Sequence, residues 1–378
     1  VDIPLITVTF IALAGVLYAI SQVSFVLRNL HRQPEHQAAF LFAPLNKFRF
    51  GLAFLSLGLA FFLGLCWMQG RQAHQKQLLQ ARSQILAAYD SSKVWQAPDP
   101  YLILKEDHKD LILYGRQLIS NTSDFLGPRG TVRRMSNGMN CQNCHLDAGT
   151  RPFGNNYSAV LATYPKFRAR SASEEDITKR INDCFLRSLN GDSLEAGSRE
   201  MKAITAYIHW LGQAVPKNHI PLGSGLVKVD LLQRPADPEK GKTVYMAKCQ
   251  SCHGAEGQGL PKPEDPLSNY PPLWGKGSYN EGAGLYRLST FAGYVKANMP
   301  FGATKDNPQL SDEEAWDLAA FVNSQPRPPH PFLARDWPVI SQKPYDHPFG
   351  PFADTFPADQ HKYGPYQPII AFQKSKTK

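Results

Sequence analysis

The sequence predicts an all-α protein: two N-terminal transmembrane helices, two similar helical domains in tandem, and an irregular C-terminal tail. Three observations carry this expectation. Two long uncharged apolar runs stand near the start of the 378-residue chain. A C-x-x-C-H pentapeptide occurs at 141–145 and again at 249–253. Amphipathic segments of helical period flank each pentapeptide in matching places.

The apolar runs are Leu5 to Leu27 and Phe50 to Met68. Each meets the roughly 20 apolar residues that a bilayer crossing needs. The first is too long for a signal-peptide core and lacks a charged leader and a small-residue cleavage site. The connector holds Arg28, Arg32, Lys47 and Arg49 against Glu35. The positive-inside rule puts that connector in the cytoplasm and everything after Met68 on the far side. Residues 71–90 carry leucines and alanines at helical spacing and read as a stalk helix. The expected division is 1–70 anchor, 71–93 stalk, 94–220 first domain, 221–326 second domain and 327–378 tail. The net charge of +9 suits an anionic substrate or partner, and no dense Lys/Arg block argues for nucleic acid.

Cys141, Cys144 and His145, then Cys249, Cys252 and His253, form the two pentapeptides. C-x-x-C-H is the signature of c-type haem attachment. Two cysteines three apart can each form a thioether to one porphyrin edge, and the next histidine reaches under the ring as proximal ligand. Zinc pairs lie closer together, and no βαβ setting supports a thioredoxin-like motif. Two covalently bound c-type haems are therefore expected. Such haem is attached outside the cytoplasmic membrane, which agrees with the charge rule and suggests a bacterial inner-membrane protein with periplasmic haem domains.

The flanking helices are "PEKGKTVYMAK", "SREMKAITAYIHWLGQ" and "SDEEAWDLAAFVNSQ", the last opening with a Ser311/Glu314 capping box. Each unit resembles a class I cytochrome c domain. For the second haem, Met299 in "ANMPFG" is the expected sixth ligand, because proline stiffens the loop that carries it; Met246 is the rival. For the first, Met201, His209 and Cys184 are candidates. "SASEEDITKRINDCFLRSLNG" reads as one helix with Ser173 as N-cap, Asp176 at N3 and Asn190-Gly191 at its end. Ile177, Ile181, Cys184, Phe185 and Leu189 share its inner face. Arg180, Cys184 and Ser188 follow one another at i, i+4, so a guanidinium that favours thiolate and a hydroxyl flank the thiol. A buried free thiol and a Cys66–Cys184 disulfide are the alternatives.

With "YPKFRARS" upstream and "RINDCFLRSLNG" around the cysteine, residues 101–326 resemble the thiosulfate dehydrogenases, dihaem cytochromes that couple two thiosulfates into tetrathionate and in some cases run the reverse. The resemblance implies His145 and Cys184 as ligands of the active-site haem. It implies Arg170 and Arg180 as substrate-binding arginines, Ser188 as an active-site serine, and His253 with Met299 at the electron-exit haem. Asn298 stands where some members carry a lysine. A cysteine sulfur of this kind can form a transient adduct with the outer sulfur of thiosulfate. The implied partners are thiosulfate or tetrathionate, the membrane, and a cytochrome c, oxidase or other respiratory acceptor. A non-catalytic electron-transfer subunit and a SoxA-like sulfur-carrier-loading cytochrome are the competing readings.

Overall fold

The computed structural model describes residues 14–25, 28, 37–87, 89–263 and 265–376. The chain divides into two compact units, Val1–Ala87 and Ala88–Lys378.

The first unit is helical. Ala14–Phe25 (α1) is the described part of the first apolar run; the rest of that run lies outside the described residues. Gln37–Ala87 (α2) is a single helix of 51 residues. Within it Phe50–Ala81 contains an 18-residue stretch of mean hydropathy 2.1 and is the one helix, among the described residues, long and apolar enough to cross a membrane. The second run and the expected stalk are thus one rod, because between Met68 and Ala87 only Gly70 interrupts good helix formers, and a lone glycine is tolerated. α1 and α2 run antiparallel: a Cβ on Gly15 would lie 3.2 Å from Leu55 Cδ1, and one on Gly51 would lie 3.5 Å from a Tyr18 ring carbon. Small residues allow that close approach.

The second unit is mostly helical, with two short two-stranded pieces. Its first core is built where Lys109–Ser120 (α3) crosses Arg199–Gly212 (α5). Gly115 makes the crossing possible: a Cβ there would meet the Ala203 carbonyl oxygen at 2.0 Å. The second core repeats the device. Pro238–Lys248 (α6) crosses Asp312–Ser324 (α8), and a Cβ on Gly241 would meet the Asp317 carbonyl oxygen at 1.9 Å. Leu288–Asn298 (α7) packs beside α8. The Ser311/Glu314 capping box forms in both directions, at 3.1 and 2.8 Å.

Two local expectations change. Ser173 does not cap a helix. Ser173–Glu175 (β2) pairs antiparallel with Lys166–Arg168 (β1), so the helix Ile177–Arg187 (α4) starts later. Its N-cap is Asp176, whose carboxylate accepts the Lys179 N–H at 2.7 Å. The run of acids competes for the strand because Glu175 is buried against Ser171, Lys179 and Arg168. The tail is also more ordered than its composition suggests. It forms Ala358–Tyr363 (α9) and Gln367–Lys376 (α10), and Tyr366 and Ile369 enter the second core. Its prolines and aromatics pack rather than merely wrap.

Candidate active site

The first C-x-x-C-H unit leads into a cavity of about 1030 Å³. The turn Cys141–Asn143 begins it, held by Asn140 through a reciprocal pair of hydrogen bonds with the Asn143 segment. Thr122 Oγ1 accepts the Cys141 N–H at 3.0 Å and lies 3.2 Å from its sulfur. Burial pushes the Cys141 and Cys144 thiols up to about 12. His145 stacks on Tyr157, with ring centroids 4.5 Å apart. Its Nδ1 pairs with the Asn155 carbonyl at 2.6 Å, which leaves Nε2 as the ring nitrogen available to an iron or to the Cys184 thiol.

Cys184, on α4, lines the same cavity as the pentapeptide. Arg180 Nη1 donates to Cys184 Sγ at 3.0 Å. Burial raises the thiol, but the Arg180 charge and a hydrogen bond from His145 outweigh it and bring it down to about 7. Of the other residues considered, Met201 is packed in the first core and His209 is exposed on α5, and neither lines this cavity; the Cys66 and Cys184 thiols are free. Ser188 joins Arg180 and Cys184 in the wall, as the i, i+4 spacing requires.

The other expected arginine stands elsewhere. Lys166 and Arg168, two apart on β1, line the cavity, whereas Arg170 is not among its lining residues. Strand alternation carries Lys166 and Arg168 to one side. The strand then ends, and a turn through Ala172 at φ 49° sends Arg170 away. Its Nη1 donates to the Gly282 carbonyl at 2.6 Å and lies 3.6 Å from Asp336. The K-x-R-x-R spacing in "YPKFRARS" held the signal for Lys166 and Arg168. Asp336, far along the chain, had none.

The second cavity, about 600 Å³, is lined by Cys249, His253 and Met299. His253 Nδ1 pairs with the Pro271 carbonyl at 2.9 Å, again freeing Nε2. Burial lowers its basicity, which favours the neutral ligand form. Met246 is 53% exposed on α6 and does not line this cavity. Lys296 is tied to the Leu310 carbonyl and Asp312, and Asn298 donates to the Phe153 carbonyl at 3.0 Å. Met139 and Cys144 line both cavities. The first attachment loop is therefore a shared wall.

Both sites fit haem. Each joins a cysteine pair of attachment spacing, a histidine with its Nδ1 already occupied, and a mainly apolar lining with a further sulfur side chain, Cys184 or Met299, in the wall. Fold and sites define a dihaem c-type cytochrome with oxidoreductase character, its two covalent haems held by one domain each. Comparison with known proteins agrees. Residues 131–216 match the family "SoxA/TsdA, cytochrome c domain" and residues 238–326 match "Cytochrome c". A thiosulfate dehydrogenase of Psychrobacter arcticus is 36% identical over 64% of this chain and 71% of its own. One of Allochromatium vinosum is 38% identical over 57% of this chain and 78% of its own. The chain belongs to the thiosulfate dehydrogenase family. A solved thiosulfate dehydrogenase (TsdBA) of Marichromatium purpuratum superposes with a TM-score of 0.58 at 31% identity, over 65% of this chain. This chain spans about half, 52%, of that longer one.

Proposed function

We propose that this protein oxidises two thiosulfates to one tetrathionate at the Cys184 cavity, tethered to a bacterial inner membrane by α2 with its haem domains periplasmic. The observation that carries the reading is the 3.0 Å hydrogen bond from Arg180 to the Cys184 sulfur inside a haem-sized cavity. A thiol poised near neutrality by an arginine is a sulfur nucleophile, not a core filler.

His145 and Cys184 would hold the first iron, and His253 and Met299 the second. Thiolate ligation lowers a haem potential and methionine raises it, which favours electron flow from the first site to the second. When bound, the haems supply the two one-electron acceptors that the oxidation needs. Cys184 thiolate and the outer sulfur of one thiosulfate form an S–S bond as two electrons leave. The outer sulfur of a second thiosulfate then attacks the substrate-derived sulfur of that adduct. Tetrathionate departs and Cys184 returns as thiolate, so charge and sulfur balance. In this step a thiosulfate dianion must approach the anionic sulfonate of the adduct. Lys166, Arg168 and Arg180 offset that repulsion, since guanidinium and ammonium groups bind oxyanions by charge-assisted hydrogen bonds. Ser188 supplies a further hydroxyl at the wall. Electrons leave the second site to a cytochrome c, an oxidase or another respiratory acceptor.

The purified dihaem protein with thiosulfate and an artificial acceptor tests this. One tetrathionate per two acceptor electrons is the expected result. Reduction of the haems by other donors with no tetrathionate formed would support the electron-transfer-subunit reading instead.

A further inference from the structure

Tyr164 lines the first cavity beside Cys184, Arg180, Lys166 and Arg168, yet it has no part in the chemistry above. It stands between the one-turn helix Val160–Thr163 and β1, and its backbone is pinned on both sides. Its N–H donates to the Val160 carbonyl at 3.0 Å, and its carbonyl accepts Lys217 Nζ at 2.7 Å. The side chain is less committed. The Lys166 ammonium stands 4.8 Å from the ring centroid, within cation–π range. The hydroxyl has no hydrogen-bond partner among the described residues and is not sealed in the interior. Tyr157, the other tyrosine of this wall, is committed to stacking on His145. Burial raises the Tyr164 phenol, and the opposing Arg180 and Arg168 charges do not cancel that, so the hydroxyl keeps its proton at neutral pH and can donate. Arg180, the strongest charge acting on Tyr164, is also the donor to Cys184 Sγ at 3.0 Å. One stretch of wall thus carries a thiolate-forming sulfur, a guanidinium, a free phenol donor and an ammonium.

We propose that Tyr164 is a specificity-determining residue that touches substrate: its hydroxyl donates to a sulfonate oxygen of the thiosulfate whose outer sulfur meets Cys184, and its ring keeps Lys166 turned to the same group. The proposal rests on the thiosulfate reading above and adds a residue to which the resemblance gives no role. Thiosulfate carries its acceptor oxygens on the inner sulfur, at the end away from the reacting one. Guanidinium and ammonium groups attract any anion. An uncharged O–H adds a directed contact that only an anion with acceptor oxygens can use. Tyr164 therefore favours an oxyanion of sulfur over sulfide or a simple thiolate.

The test compares Tyr164→Phe and Tyr164→Leu on the full dihaem chain. Tyr164→Phe keeps the ring under Lys166 and removes only the donor. It raises the thiosulfate KM about tenfold, as loss of a hydrogen bond to a charged group does. kcat changes little, and the spectrum and reduction potential of the first haem stay as in the wild type. Tyr164→Leu also removes the ring and raises KM further. In a Lys166→Gln background the step from Phe to Leu disappears. An unchanged KM in Tyr164→Phe would overturn the proposal. So would a shifted first-haem potential with KM unchanged, the sign of a hydroxyl bonded to a haem propionate. If Tyr164→Leu fails to fold, the Tyr164→Phe arm decides alone. A thiosulfate titration followed by the absorbance of the first haem reads binding apart from turnover. No tetrathionate from the wild type contradicts the thiosulfate reading itself, whereas an active wild type beside an indifferent Tyr164→Phe contradicts only the role of Tyr164.

Discussion

At the residue scale the proposed chemistry rests on Cys184 and the cations around it. The i, i+4 set Arg180, Cys184 and Ser188 was legible because helix geometry alone puts those side chains on one face, and the structure gathers all three in one wall. Lys166 and Arg168 were harder to choose. Three basic residues alternate in "KFRAR", and the sequence does not say where the strand ends. Replacing Lys166 or Arg168 by Gln should raise the thiosulfate KM by about tenfold, the usual worth of a charge-assisted hydrogen bond, with a smaller effect on the haem spectra. Cys184→Ala should abolish tetrathionate formation and alter the spectrum of the first haem, leaving the second unchanged. Steady-state kinetics and optical spectra of the three variants check this.

At the element scale each haem domain depends on one helix crossing. Gly115 and Gly241 sit at equivalent points, and a methyl at either would run into the backbone of the facing helix. Gly115→Ala or Gly241→Ala should cost about 2 kcal/mol by overpacking, measured by denaturant unfolding of the holoprotein. The repeat itself could be read from the sequence, because the pentapeptide and its flanking periods recur. The start of α4 could not. Ser173 and Asp176 both have capping chemistry, and only the pairing of β2 with β1 decides between them. The tail escaped for a related reason: its short helices bury residues against distant ones, and local periodicity carries no trace of that. Its histidines make it acid-sensitive. His330 and His347 are pushed from 6.5 down to about 4, by burial first and then by Arg187 and Lys343 respectively. Between those values the unfolded chain binds more protons than the folded one, so stability falls as pH drops from about 6.5 towards 4. The melting temperature should decline over that window, and His330→Gln with His347→Gln should flatten the decline.

At the scale of the whole molecule, the chain joins an apolar helix to a two-haem unit whose cavities share Met139 and Cys144. A shared wall favours short electron paths between the sites. Tyr294 strengthens that wall: its hydroxyl donates to the Asn143 carbonyl at 2.6 Å while its ring lines the second cavity. The family resemblance ran through residues 101–326 and stopped short of both ends. Yet the tail's Asp336 pairs with Arg187 on α4, so the packed unit extends beyond the two haem domains. With α2 intact, the protein should sediment with membranes and resist an alkaline wash, as a spanning helix does and a peripheral contact does not.

The central claim is that Cys184 makes this dihaem cytochrome a thiosulfate-oxidising enzyme. The most direct measurement is tetrathionate produced by the purified protein from thiosulfate and an artificial acceptor, wild type beside Cys184→Ala, with the haem content of both confirmed. The account predicts one tetrathionate per two electrons from the wild type and none from the variant. Equal tetrathionate from the two proteins, or none from a fully loaded wild type, would contradict it.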